Sequence, residues 1–70
     1  MKYVGIKQVL KAVEEGIVET VYIGDDAEAH VTAQLIKMCE EKNIVVKHIP
    51  TMEELGRLAG IDVKASAAAE

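Results

Sequence analysis

Tryptophan and phenylalanine are absent, and Tyr3 and Tyr22 are the only aromatic residues. Any core must therefore be aliphatic, built from Val, Ile, Leu, Met and Ala. Cys39 stands alone, which excludes an internal disulfide, and Pro50 is the single proline. No apolar run approaches the roughly 20 residues of a membrane span, and the first residues lack the basic-then-apolar pattern of a signal peptide. A small cytoplasmic domain with no membrane partner is the expectation. Basic charge is also scarce: the formal net charge is −4, which argues against binding nucleic acid by bulk attraction. At 70 residues the chain is too short for a second folded domain, while its 50% hydrophobic content is too high for a disordered segment.

The distribution of charge says more than its sum. Residues 1–11 carry Lys2, Lys7 and Lys11 with no acid, giving +3. Residues 12–41 set Lys37 against Glu14, Glu15, Glu19, Asp25, Asp26, Glu28, Glu40 and Glu41, giving −7, and residues 42–70 balance. The positive end can touch a few phosphates but cannot coat a long duplex, so DNA is not an expected partner.

Helices and strands alternate along the chain. Met1 to Val4 reads as a strand ending at Gly5. Ile6, Val9, Leu10 and Val13 have the spacing of an amphipathic helix, which Gly16 stops, with Ile17 packing back on its last turn. Thr20 to Ile23 is β-branched and aromatic and reads as a buried strand. Asp25 or Asp26 is expected to cap the next helix, whose stripe is Val31, Leu35, Met38 and Cys39 and which runs to about Lys42. Asn43 is a left-handed stop, and Ile44 to Ile49 a further strand. Thr51 and Glu54 form a capping-box pattern opening a short helix through Met52, Leu55, Leu58 and Ala59, closed by Gly60. Gly56 within it implies close packing or a functional approach. The tail, Lys64 to Glu70, is poor material for a strand. This order implies an α/β fold, a mixed or parallel sheet with helices on both faces.

No catalytic set is present. A zinc site needs four ligands at set spacings, and only Cys39, His30 and His48 are on offer, with Cys39 on an apolar stripe. Asp25-Asp26 lacks a Gly-rich phosphate loop nearby, so capping outweighs magnesium binding or acid–base work. No enzyme, metal or cofactor is expected. What stands out is Gly5-Ile6-Lys7-Gln8-Val9-Leu10-Lys11 at a strand-to-helix junction. A helix start offers unpaired N–H groups and partial positive charge, Lys7 and Lys11 share a face, and Gln8 offers a donor and an acceptor that can read a base edge. A lone motif of this kind is more often a solvated helix face.

Four blocks in order resemble the ribosomal L-seven-Ae/L-thirty-e family, and most of all its small bacterial kink-turn-binding members. Gly5 to Lys11 is similar to the family's Gly-Thr-Asn-Glu-x-x-Lys, which bacterial forms often write Gly-Thr-Lys-Gln-x-x-Lys. Val21 to Ala27 resembles its apolar strand followed by Ala-x-Asp-Ala. Cys39 to Val46 resembles Cys-Glu-x-x-x-Val/Ile-Pro, and Leu55 to Val63 resembles Leu-Gly-x-x-x-Gly-Ile-x-Val. The resemblance implies a three-layer α/β/α sandwich with a small mixed sheet of about four strands, forming one domain over residues 1–70. It implies a non-enzymatic, ribosomal or ribosome-associated protein whose partner is structured RNA containing a kink turn, from ribosomal RNA or a riboswitch-like RNA. In such an element a three-nucleotide bulge and tandem sheared G·A pairs bend a stem sharply.

By the same resemblance Lys7, Gln8 and Lys11 contact guanines and backbone, Gly5 lets the RNA approach closely, and Ile6 lies between them. Ile61, Asp62 and Val63 form a loop that packs apolar side chains on the bulged nucleotides. The residues alone leave 61–63 open between that exposed loop and the start of a last strand with Ile61 and Val63 buried. Three departures stand out. Ile6 replaces a threonine, Ala29 stands where proline is common, and the tail stops short of the family's apolar last strand, which is expected to be short or absent. A second reading is a protein-interaction or self-associating domain with weak or lost RNA binding. A third, a small enzyme or metal binder using Asp25, Asp26 or His48, has the least support. With no apolar stripe left over, a monomer is expected.

Overall fold

The computed structural model describes all residues, 1–70. The elements are β1 (Tyr3–Val4), α1 (Ile6–Glu15), β2 (Thr20–Gly24), α2 (Ala29–Glu41), β3 (Val45–Ile49), α3 (Met52–Leu58) and β4 (Ala67–Ala69). One sheet has the order β1-β4-β2-β3, with β2 and β3 parallel and β4 antiparallel to both its neighbours. β1, β2 and β3 therefore run the same way, and each feeds a helix from the same end of the sheet. α1 and α2 cover one face; α3 covers the other. This is the expected α/β/α sandwich.

The helices form where apolar spacing demands them. Val9, Ala12 and Val13 of α1 are buried, joined in the main core by Val21, Ile23, Leu35, Cys39, Ala67 and Ala69. Gly16 ends α1 at φ 71°, its N–H donating to the Val13 carbonyl at 3.0 Å while the Ile17 N–H reaches that of Ala12 at 3.1 Å. That is a Schellman closure. It is made by backbone alone, because the Ile17 side chain stays 54% exposed instead of packing back. In α2, Leu35 and Cys39 are buried and Thr32 joins them. Burial raises the Cys39 thiol pKa. Asn43 takes φ 59°, the left-handed stop that ends this segment. No helix is long and apolar enough to cross a membrane.

Neither carboxylate of the acidic turn caps α2. The residue before α2 is Glu28, which makes no side-chain cap, while Asp26 Oδ1 accepts the Met52 N–H at the start of α3 at 2.8 Å. Asp25 Oδ1 lies 2.7 Å from His48 Nδ1. The reason is the hydrogen bond from the Asp25 N–H to the Ile49 carbonyl, 2.8 Å, which holds the turn against the end of β3. α3 thus receives two caps, since Thr51 Oγ1 also accepts the Glu54 N–H at 3.1 Å.

The tail does form the last strand, short as expected, although alanine is poor strand material. β4 is three residues long, yet it is the inner strand joining β1 to β2, and Ala67, Ala68 and Ala69 are all 0% exposed. Ala67 and Ala69 face the main core, whereas Ala68 packs with Leu55 and Ala65 beneath α3. Only a methyl group fits between helices pressed on both faces, so tertiary context overrides the low strand propensity of alanine. Its ladder is extended by the Glu70 N–H to the Thr20 carbonyl and the Gly24 N–H to the Ser66 carbonyl, both 3.0 Å.

Candidate functional site

Gly5 makes the turn from β1 into α1 at φ 101° and ψ 147°, with its N–H donating to the Ala67 carbonyl at 2.9 Å. A Cβ there would meet nothing within 4 Å, so glycine answers the positive φ, not a lack of space. No side chain caps α1 and no acid lies in its first turn, which leaves its leading N–H groups open to an anionic ligand. Lys7, Gln8 and Lys11 are exposed on this helix. The only salt bridge made by a Lys or Arg is Arg57–Glu53, the other close contacts of this kind being His30–Glu28 and His48–Asp25, so neither lysine is neutralised by a partner. Gln8 and Lys11 meet in a shallow groove of about 280 Å³ whose other walls are Tyr3, Ala12, Glu15 and Ile17. Ile6 does not belong with this polar set: it is half-buried and packs on the main core, so it anchors the helix start.

The segment 61–63 is a loop. Val63 is 69% exposed and Asp62 is exposed, while Ile61 is half-buried against the cluster of Leu55, Ala65 and Ala68. One of the two apolar side chains is thus presented outward and the other serves as its foundation. Gly56 explains how the loop is held. A Cβ built there would stand 2.1 Å from the Val63 carbonyl oxygen and 3.1 Å from Lys64 Cα, so the loop backbone lies directly on α3. The Ile61 N–H also donates to the Gly56 carbonyl at 3.1 Å. A depression of about 510 Å³ is lined by Ile61, Asp62, Val63, Glu53, Arg57 and Lys64. Arg57 pairs with Glu53 at 3.0 Å, both side chains being largely exposed. Such a pair is worth little and leaves the guanidinium open to exchange.

These two surfaces flank one end of the sheet. β4 begins beside Gly5, and the loop enters β4 through Ala65 and Ser66, so α1 rises on one side of the sheet and the loop lies on the other. It is the end carrying the carboxyl ends of β1, β2 and β3, where open α/β sheets characteristically bind ligands. Sequence reasoning missed Tyr3, Arg57 and Lys64 as neighbours of the site. For Arg57 the signal was its place four residues before Ile61, but only the loop's return over Gly56 brings the two together. Glu14, Glu15, Glu40 and Glu41 close α1 and α2, and Glu19 and Glu70 flank strands, at the opposite end.

With this geometry in place, the relatives are informative. The Ribosomal protein L7Ae/L30e/S12e/Gadd45 family matches residues 3–70. A protein named RNA-binding protein from Caldanaerobacter subterraneus subsp. tengcongensis is 52% identical over 69 residues, covering 99% of this chain and 84% of that protein. Another of that name, from Bacillus pumilus, is 33% identical over 66 residues, covering 94% and 80%. Among solved structures, the Giardia lamblia 15.5 kD RNA binding protein superposes with a TM-score of 0.87 at 30% identity. That match covers 94% of this chain but only 56% of the Giardia one. A family match over nearly the whole length, together with a shared fold and a relative 52% identical over 69 aligned residues, places this chain in the Ribosomal protein L7Ae/L30e/S12e/Gadd45 family.

Proposed function

We propose that this protein is a single-domain, non-enzymatic RNA-binding protein that recognises kink-turn RNA, as a ribosomal or ribosome-associated component of the cytoplasm. The observation that carries the reading is the uncapped start of α1, with Lys7, Gln8 and Lys11 exposed and unpaired, at the same sheet end as the exposed Val63. The names of the relatives support the RNA part of it. In this reading α1 enters beside the G·A pairs. Gly5 admits the backbone, Gln8 reads a base edge, and the lysines hold phosphates or guanine acceptors. Val63, with Asp62 beside it, meets the bulged nucleotides, and Ile61 fixes the loop from below. Irregular, opened RNA suits a small patch better than a regular A-form groove does. Binding favours the bent RNA only by its higher affinity for that state.

The protein acts as a monomer in this reading, and neither DNA nor a membrane is its partner. The test is a titration against a short RNA with one kink turn, beside the same RNA with its G·A pairs replaced. Tight binding is expected only to the intact motif, with a shallow salt dependence of about two to three in log–log slope if Lys2 joins Lys7 and Lys11 on the RNA. Lys7→Ala and Gln8→Ala each weaken binding by about 1–3 kcal/mol while leaving the unfolding midpoint unchanged. Equal weak binding to both RNAs refutes the reading and turns the search to protein partners.

A further inference from the structure

The basic strip of α1 stops abruptly. Glu14 lies three residues after Lys11 and seven after Lys7; Glu15 lies four after Lys11 and seven after Gln8. At 3.6 residues per turn these spacings put both acids on the exposed face that carries Lys7, Gln8 and Lys11. Glu15 lines the same groove as Gln8 and Lys11. Neither carboxylate takes part in an ion pair, and Lys42 reaches only the backbone carbonyl of Glu14, at 3.1 Å. Both acids also occupy the last turn of a helix with no basic residue there, where the helix dipole disfavours negative charge. The helix dipole therefore works against both charges, and no ion pair of the fold uses them.

We infer that Glu14 and Glu15 are specificity-determining residues, which confine RNA to the first two turns of α1 and reject RNA whose backbone runs on along the helix. The inference rests on the kink-turn reading and deepens it. Sharply bent RNA meets α1 at its start and turns away. A regular stem laid on Lys7 and Lys11 continues past the second turn of this roughly 15 Å helix, bringing phosphates against two carboxylates. Two such repulsions at about 6 Å in water correspond to about tenfold in affinity.

The experiment pairs E14Q/E15Q with a control, E40Q/E41Q, which changes net charge equally at exposed positions closing α2. Each is titrated at low salt with the intact kink-turn RNA and with the G·A-replaced RNA. E14Q/E15Q is expected to raise affinity for the G·A-replaced RNA about tenfold and for the intact motif less than threefold, with the gain vanishing near 1 M salt. The control is expected to move neither. An unchanged affinity of E14Q/E15Q for the G·A-replaced RNA, or an equal gain in the control, overturns the inference. Wild-type protein that cannot tell the two RNAs apart overturns the kink-turn reading first, and this inference with it.

Discussion

Gly56→Ala sets two physical effects of opposite sign against each other. Helix propensity favours alanine inside α3 by about 0.8–1 kcal/mol. Against that, the added Cβ would stand 2.1 Å from the Val63 carbonyl oxygen, with the Val63 carbonyl carbon and Lys64 Cα both at 3.1 Å. The obstruction is backbone, so no rotamer change relieves it, and the oxygen must retreat by about an ångström to reach ordinary contact. Overpacking of this kind costs about 1–3 kcal/mol. The displaced segment also holds Ala65, whose N–H donates to the Met52 carbonyl at 3.0 Å and whose methyl is buried beside Leu55 and Ala68. Sterics should win, for a net loss of up to about 2 kcal/mol, or up to about 16 °C in Tm for a domain of this size. Urea unfolding followed by circular dichroism measures it through the midpoint, with the slope unchanged. Because the same segment carries Val63, kink-turn affinity should fall as well. A stabilised Gly56→Ala variant would mean that the loop does not lie on α3, and the account of how Val63 is presented would collapse.

The other tests probe separate parts of the fold. Ala68→Leu inserts a branched side chain between β4 and α3, where Ala68 is 0% exposed, and should destabilise by about 1–3 kcal/mol; a normal unfolding midpoint would contradict the packing of that strand. Asp26→Ala removes the acceptor of the Met52 N–H and should lower stability by about 1 kcal/mol, whereas Glu28→Ala, ahead of α2, should leave it nearly unchanged. Tyr22 donates its hydroxyl to Glu70 Oε1 at 2.6 Å, and this bond, with burial and the carboxylate charge, raises its pKa above the ordinary phenol. The folded state then holds the proton more tightly than the unfolded chain. The stabilising contribution is complete below a pH of about 10 and is lost as pH rises through the folded-state value. Phenolate absorbance should show one tyrosine titrating late, and Glu70→Gln should bring it earlier.

Several local features were legible in the chain because each depends on a few neighbouring residues. α1 follows from Ile6, Val9, Leu10 and Val13 and ends at Gly16, Asn43 takes its left-handed turn, and Thr51 caps α3. The exposed lysine and glutamine face of α1 needed only the complement of that apolar spacing, and the blocks shared with known proteins extended it to a family. Contacts between distant segments were a different matter. Asp25 and Asp26 look like the cap of α2 because capping reads locally, yet the turn is bonded to Ile49, and Asp26 reaches α3 while Asp25 reaches His48. Residues 61–63 were ambiguous because exposure depends on what lies beneath, and Gly56 supplies that support from a neighbouring helix. The alanine tail was the least legible, its strand expected to be short or absent. Strand propensity is judged by how a side chain packs, and only the assembled layers show that the site of β4 admits nothing larger than a methyl group. Periodicity and turn chemistry were thus determined by the sequence itself. The central place of β4, the partners of the acidic turn and the placing of α1 and the Val63 loop on either side of one sheet end were decided by tertiary packing, which joins residues that no local spacing connects.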